Sequence, residues 1–411
     1  MVTMETREGE YGTVGIGDLA PRVRQDTMLI NMGPQHPSTH GVLRLQLELD
    51  GETVVKCTPH LGYVHTGIEK TIESRTWQQA VTATDRMDYL VPLINNLGYA
   101  LAVEKLIGCE IPPRAQVARV ILSELQRISS HLVWMGTHAI DLGAMSVFLY
   151  CFREREQICD LFDLTTGQRM MTSYIRVGGL AQELHPDFPE RTRKFCREFP
   201  SHIDQYEALL KENEIWQERT MGVGILTGEQ ALALGVTGPV LRASGVNWDL
   251  RKAQPYSGYE QYDFEVPLAT EGDCYARYRV RMQEMRQSLR IIEQALDRLP
   301  DGPTRTSDRK VSLPPREEIN RSMEALIHHF KLVTEGIRVP AGEVYVAVES
   351  ARGELGFYVV SDGTNHPYRC HVREPNFVNL QALPAIMEGR LVADAVACIG
   401  SLDPVIGGVD R

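Results

Sequence analysis

From Tyr278 to Leu299 the chain reads Y-R-V-R-M-Q-E-M-R-Q-S-L-R-I-I-E-Q-A-L-D-R-L. Tyr278, Met282, Met285, Leu289, Ile292, Leu296 and Leu299 fall at alternating spacings of four and three without a miss. Such a seam predicts a long helix packed against other helices, with the intervening charged residues and Gln on its remaining faces. Its two methionines read as core. Outward from this seam the helical period recurs. Leu93 to Gly108 reads as one helix, and Ile111-Pro112-Pro113 breaks it. A second helix begins near Arg114, where Val117, Ile121, Ile128, Leu132 and Met135 give one buried stripe. A third runs from Ser146 to Thr166. Asp301 to Pro315 is a Pro-rich polar linker, followed by an amphipathic helix around Ile319, Met323, Leu326, Ile327 and Phe330, whose His328 and His329 read as surface or packing residues.

Strand patterns flank this helical middle. Leu43, Leu45, Leu47 and Leu49 alternate with polar residues, and Asp50-Gly51 turns the chain before Val54 and Val55, a hairpin pattern. Near the C-terminus Val344, Val346 and Val348 alternate, Ser350 to Gly353 makes a turn, and Leu355, Phe357 and Val359 alternate back. A further strand around Tyr368 to Val372 leads to a last helix near Asp394 to Ser401. The fold class read from these patterns is α+β: a central long-helix bundle, an N-terminal β region, and a C-terminal β-hairpin plus final helix. The expected divisions are a flexible N-terminal arm at 1–27, an N-terminal β region at 28–65, a helical bundle at 66–340 and a C-terminal β/helix region at 341–411.

With 411 residues, burying a core is not in doubt. A net charge of −11 and a pI near 5.6 disfavour nucleic acid or anionic lipid as the main partner. The longest run without a charge or breaker, near Leu142 to Phe152, is far short of the roughly 20 apolar residues a spanning helix needs. Residues 1–28 lack the apolar core of a secretory signal, so cytoplasmic residence is the default expectation. The eight cysteines, at 57, 109, 151, 159, 196, 274, 370 and 398, form no C-x-x-C pair, and buried reduced thiols are expected instead of a zinc or iron–sulfur site.

Gly33 to Gly41 reads G-P-Q-H-P-S-T-H-G and sets His36 and His40 four residues apart in a segment whose prolines forbid an α-helix. Pro34 and Pro37 push Gly33 and His36 toward extended conformations. A rigid turn of this kind presents imidazoles to a ligand or substrate, unless both are loop histidines with no chemistry. Other titratable residues stand in apolar surroundings in H-L-G-Y-V-H-T-G-I-E-K (60–70), D-R-M-D-Y-L (85–90) and G-T-H-A-I-D-L-G-A-M (136–145). Gly222-x-Gly224 lacks the third glycine of a dinucleotide fingerprint, and no H-E-x-x-H, G-x-S-x-G or phosphate-loop pattern occurs.

The combination resembles a known family. From Met28 to Arg411, the segments G-P-Q-H-P-S-T-H-G, G-Y-V-H-T-G-I-E-K, R-M-D-Y-L, D-L-G-A, F-R-E-R-E, L-R-A-S-G-V-N-W-D, E-S-A-R-G-E-L-G and the terminal S-L-D-P are similar to the 49-kilodalton, or D-type, subunits of respiratory complex I. That family shares ancestry with the large subunit of nickel–iron hydrogenases, which hold nickel with two C-x-x-C pairs, one after an arginine and one in a terminal D-P-C-x-x-C. Here the two regions read Arg86-Met87-Asp88-Tyr89 and Asp403-Pro404-Val405-Ile406-Gly407-Gly408, with no thiol at either. A soft-metal centre needs those thiolates, so the reading is that this chain holds no metal and that the vacated cavity is free for another substrate.

The resemblance implies that the cavity receives a quinone headgroup, with His40 and Tyr89 as its catalytic partners and Asp141 as the carboxylate that orients the imidazole and keeps it protonated. An imidazole and a phenol suit a reaction in which each carbonyl oxygen gains a proton. The other role for Asp141 is capping a helix that starts near Leu142. Electrons would come from a [4Fe-4S] cluster on a neighbouring subunit, with Arg86 beside it. Met171 stands where many relatives carry a histidine thought to hydrogen-bond that cluster, and Thr66 replaces an arginine of some relatives. The implied partners are the cluster-bearing small subunit, the 30-kilodalton-type subunit and the quinone-channel membrane subunit. The implied location is peripheral, on the cytoplasmic side of the cell inner membrane. The competing readings are an energy-converting hydrogenase large subunit and a non-catalytic scaffold.

Overall fold

The computed structural model describes residues 27–411 and, ahead of them, only the backbone pairing of Val2–Glu5 with Tyr11–Val14. The arm expected at 1–27 otherwise lies outside the described residues.

Four long helices build the middle of the chain: Pro113–Asp141, Met145–Thr166, Phe188–Leu210 and Cys274–Asp297. Pro113–Asp141 packs against both Met145–Thr166 and Cys274–Asp297, and Phe188–Leu210 closes the group against the latter two. The seam behaves as its spacing predicts: Tyr278, Met282, Met285, Leu289, Ile292 and Leu296 are all in the core. Pro113–Asp141 goes further than its stripe suggests, because from Ala118 to Ala139 nearly every residue is buried, including Arg119, Glu124, Arg127 and His131. A helix buried on all faces must satisfy its polar groups internally, and it does so with contacts such as the ion pair of Arg127 with Glu124 at 3.2 Å and the hydrogen bond of a neutral His131 to Glu284 at 2.8 Å.

The N-terminal sheet has three antiparallel strands, with Arg44–Asp50 between Met28–Met32 and Thr53–His60. Leu45, Leu47 and Leu49 point into a second core shared with Cys398, Ile399, Ile406 and Val409 near the C-terminus. The C-terminal hairpin pairs Gly342–Ser350 with Gly353–Ser361 in a register that sets Val346 opposite Phe357, and Arg369–Arg373 adds a third strand. The helix Pro92–Ile107 lies across this sheet. The helix expected last, Asp394–Leu402, is followed by a short one at Ile406–Asp410, beyond Pro404. This mixture is the α+β arrangement expected. Among the described residues no helix is long and apolar enough to cross a membrane.

Candidate quinone site

His40 sits at the end of a 3-10 turn, Pro37–Thr39. His36 caps that turn: its backbone is extended, and its Nδ1 accepts from the Ser38 N–H at 3.2 Å. Gly33 is not extended but left-handed, at φ +85°, and a Cβ there would collide with the Leu43 carbonyl oxygen. The chain leaves the turn through His40 itself at φ 49°. A left-handed histidine is uncommon and is held here by its surroundings, which aims the ring inward. His36 therefore shapes the turn, and His40 is presented.

The His40 Nε2 is buried without a hydrogen-bond partner and lies 3.8 Å from an Asp141 carboxylate oxygen. That distance is too long for a hydrogen bond. Burial, aided by the nearby Arg352 guanidinium, pushes the imidazole down to about 4, so His40 is neutral near pH 7. The expectation that Asp141 keeps it protonated is not met in this arrangement: desolvation outweighs an ion pair that is not closed. Burial also raises Asp141, to about 6. Asp141 caps no following helix. It is the last residue of Pro113–Asp141, and the next helix starts at Met145.

Tyr89 lies in the tight segment between the short helix Val81–Thr84 and the helix at Pro92. Asn95 fastens that segment, donating to the carbonyls of Thr84 at 3.0 Å and Asp88 at 2.9 Å, and Gln126 donates to the Leu90 carbonyl at 2.7 Å. Among the described residues the half-buried Tyr89 hydroxyl makes no hydrogen bond. Burial and the neighbouring Asp88 raise its pKa, so it remains a phenol able to donate.

Arg352 joins the two groups electrically. The two-residue turn between the C-terminal strands drives its side chain inward, where it is fully buried. It grips Asp403 with Nε at 2.9 Å and Nη2 at 3.0 Å, lies 3.2 Å from Asp88, and donates to Ser130. Arg352 is thus the cation that both His40 and Tyr89 sense. Asn376 completes this layer, donating to Asp88 at 3.0 Å and accepting from the Val405 N–H at 3.0 Å.

These residues pack closely at one of the two places where the hydrogenase relatives hold thiols. Where the hydrogenase relatives place their terminal thiol pair, this chain has Val405 and Gly408. A Cβ on Gly408 would lie 2.6 Å from the Asn376 amide nitrogen and 2.9 Å from a Glu374 oxygen. At Gly408 no room is left for a side chain such as cysteine. Gly407 packs directly on the Tyr89 ring, since a Cβ there would be 2.9 Å from a ring carbon and 2.6 Å from the Met87 carbonyl oxygen. Among the described residues no group of three or more His, Cys, Asp or Glu is arranged to hold a metal.

His138 sits behind His40, fully buried, with neither ring nitrogen hydrogen-bonded. It stacks on Trp134 at 5.6 Å and meets the edge of Trp216 at 5.3 Å, and burial pushes it to about 3. The segments holding Arg352 and His138 stand out in the sequence, but neither residue acquires a role there. A basic residue inside an otherwise apolar or Gly-flanked stretch is the signal available for both.

Arg86 is exposed and donates to the Thr82 carbonyl. Its neighbour Asp85 is buried and accepts from Asn96 at 2.7 Å and from the Ser173 hydroxyl. That bond ties the Arg86 segment to the loop carrying Met171, a half-buried residue at φ 51°. The two expected cluster-facing residues thus belong to one pinned pair of loops, while His40 and Tyr89 both feel Arg352 and Asp141 stands beside His40.

Residues 141–411 match the family model of the respiratory-chain NADH dehydrogenase 49-kilodalton subunit. The chain is 64% identical over 390 residues to the D 2 subunit of NADH-quinone oxidoreductase from Roseiflexus sp. (strain RS-1), covering 94% of both chains. It is 63% identical over 391 residues to the D 2 subunit from Chloroflexus aurantiacus, covering 94% of this chain and 95% of that one. To the D 1 subunit from Solibacter usitatus it is 60% identical over 384 residues, covering 93% and 94%. The chain belongs to the 49-kilodalton subunit family of respiratory-chain NADH dehydrogenases.

Proposed function

We propose that this chain is the quinone-site subunit of a proton-pumping NADH-quinone oxidoreductase. With a [4Fe-4S]-bearing partner it forms the chamber where quinone becomes quinol, peripheral to the cytoplasmic face of the cell inner membrane. A 30-kilodalton-type subunit and a quinone-channel membrane subunit are its other neighbours. The observation that carries this reading is the buried His40 Nε2 without a hydrogen-bond partner, close to a buried guanidinium that also acts on the free, half-buried Tyr89 hydroxyl. A buried polar group without a partner is rare and costly, and a ligand with two carbonyl oxygens would satisfy His40 with one and accept from the Tyr89 hydroxyl with the other.

Quinone takes up two electrons and two protons. The electrons arrive from the partner's cluster, near Arg86 and Met171, and each oxygen gains one proton. Tyr89 donates to one oxygen as a neutral phenol. His40 passes to the other oxygen a proton taken from the protonated form of Asp141, so that Asp141 ends as a carboxylate and the imidazole, neutral before, ends neutral again; with its carboxyl near 6, Asp141 then regains a proton from the medium. Arg352 stabilises the negative charge that builds on the quinone between electron and proton arrival. The hydrogenase reading lacks its thiolates and the space for them at Gly408. A quinone-analogue inhibitor titrated against the assembled complex tests the proposal against a silent scaffold. His40→Ala and Tyr89→Phe should each weaken its binding at least tenfold, and unchanged affinity in both would overturn the assignment.

A further inference from the structure

The helix Met323–Thr334 carries its apolar stripe on the outside. Met323, Leu326, Ile327, Phe330 and Val333 follow helical spacing, yet all are exposed, Met323 at 78% and Phe330 at 65%, and only Ala325 and Leu332 are buried. A stripe of this kind normally faces a core. Several large apolar side chains together on a surface mark an interaction site.

The stripe runs into a cavity of about 330 Å³ through Leu332 and Val333, with Leu313 on the same wall. Arg176 and Arg305 line that cavity as well. Arg176 donates from Nε to the Ser173 carbonyl at 3.0 Å, and Arg305 donates to the carbonyls of Leu180 and Ala181. Backbone carbonyls leave the charge uncompensated. Among the described residues neither the exposed Arg176 nor the half-buried Arg305 has a carboxylate within ion-pair distance. Partial desolvation and then the Arg305 charge hold Arg176 below the ordinary arginine value, with Asp85 acting the other way. In a chain of net charge −11, two adjacent unpaired guanidiniums beside an apolar stripe are a local exception. They call for an anion with apolar neighbours. The cavity also borders the Arg86 segment, since Thr82 and Ser173 are part of its wall.

We propose that this stripe and cavity are the docking surface for a neighbouring subunit of the complex, which inserts a segment bearing a carboxylate between Arg176 and Arg305 and lays apolar side chains on Met323 to Val333. The inference rests on the reading of this chain as one subunit of a larger assembly, not on the quinone chemistry. A stable contact covers roughly 800 Å² on each partner, which a three-turn helix face and an adjoining cavity can supply.

The test uses the purified intact complex with a photo-crosslinking benzoylphenylalanine in place of Phe330, an exposed position that tolerates the larger ring. Illumination should join this chain to one neighbouring subunit, in a peptide with Asp or Glu within a few residues of the attachment point. Combining it with Arg176→Gln and Arg305→Gln should lower that yield at least fivefold, while Arg176→Lys with Arg305→Lys should retain most of it. Cross-links to residues 2–26 of this chain, to a second copy, to lipid or to nothing would overturn the proposal, as would an unchanged yield in the Gln pair. If the His40 and Tyr89 variants bind quinone analogue normally while the cross-link forms, the quinone reading fails and the docking surface stands.

Discussion

Gly407→Ala tests whether the C-terminal tail positions Tyr89. Gly407 lies in the short helix Ile406–Asp410 and has no left-handed backbone, so alanine adds only a methyl group. That methyl would stand 2.6 Å from the Met87 carbonyl oxygen and 2.9 and 3.0 Å from two Tyr89 ring carbons. Carbon atoms in contact settle at about 3.5–4.0 Å, so something must move by roughly half an ångström or more. The Met87 oxygen is backbone in a segment pinned by Asn95, which leaves the tail and the Tyr89 ring to yield. Overpacking of this kind costs about 1–3 kcal/mol. If that cost falls on the quinone complex, kcat/KM for quinone should drop by about 5- to 150-fold, at 1.4 kcal/mol per tenfold. The assay is NADH-driven quinone reduction by the assembled complex, with reduction of an artificial acceptor upstream of the quinone as control. Gly342→Ala is the matched control substitution, because its nearest neighbour, a Leu106 methyl, is at an ordinary 3.7 Å. A Gly407→Ala enzyme with kcat/KM for quinone within twofold of the unmodified complex would refute the reasoning.

Two other outcomes are expected. Asp141, raised to about 6, is mostly ionised at pH 7 and takes up its proton as pH falls through that value, so quinone reduction should show a limb near pH 6; Asp141→Asn should slow reduction and remove that limb, as a pH–rate profile from about 5.5 to 8.5 would record. Met171 has no titratable proton, so the midpoint potential of the partner's cluster should vary less with pH than in relatives carrying histidine, and Met171→His should restore the slope; redox titrations at several pH values showing the usual slope in the unmodified complex would sink this idea.

The long helices are legible in the sequence because their apolar spacing is nearly uninterrupted, as at Tyr278 to Leu296, where every seam residue is buried. The terminal helix at Ile406–Asp410 is not, since five residues containing two glycines carry no period. Asp141 closes one helix instead of opening the next because the break, Leu142-Gly143-Ala144, follows it, with Gly143 left-handed at φ 90°. Arg352 escapes a sequence reading because its partners, Asp88 and Asp403, lie 264 and 51 positions away. No periodicity reports a buried ion network of that separation. The protonation of His40 is hidden for the same reason: proximity to Asp141 can be inferred, but the depth of burial that dominates its pKa is a property of the packed chain. The outward face of Met323–Thr334 shows the converse, an amphipathic pattern correctly read whose apolar side finds no cover among the described residues.

The central claim is that Tyr89 delivers a proton to a quinone oxygen. The most direct measurement is Tyr89→Phe in the assembled complex, following cluster reduction by NADH spectroscopically and quinol formation in the same sample. The substitution removes one hydroxyl that has no hydrogen-bond partner among the described residues, so folding and assembly should be unaffected. The account predicts normal cluster reduction with quinol formation abolished. Quinol formation at the unmodified rate would contradict it.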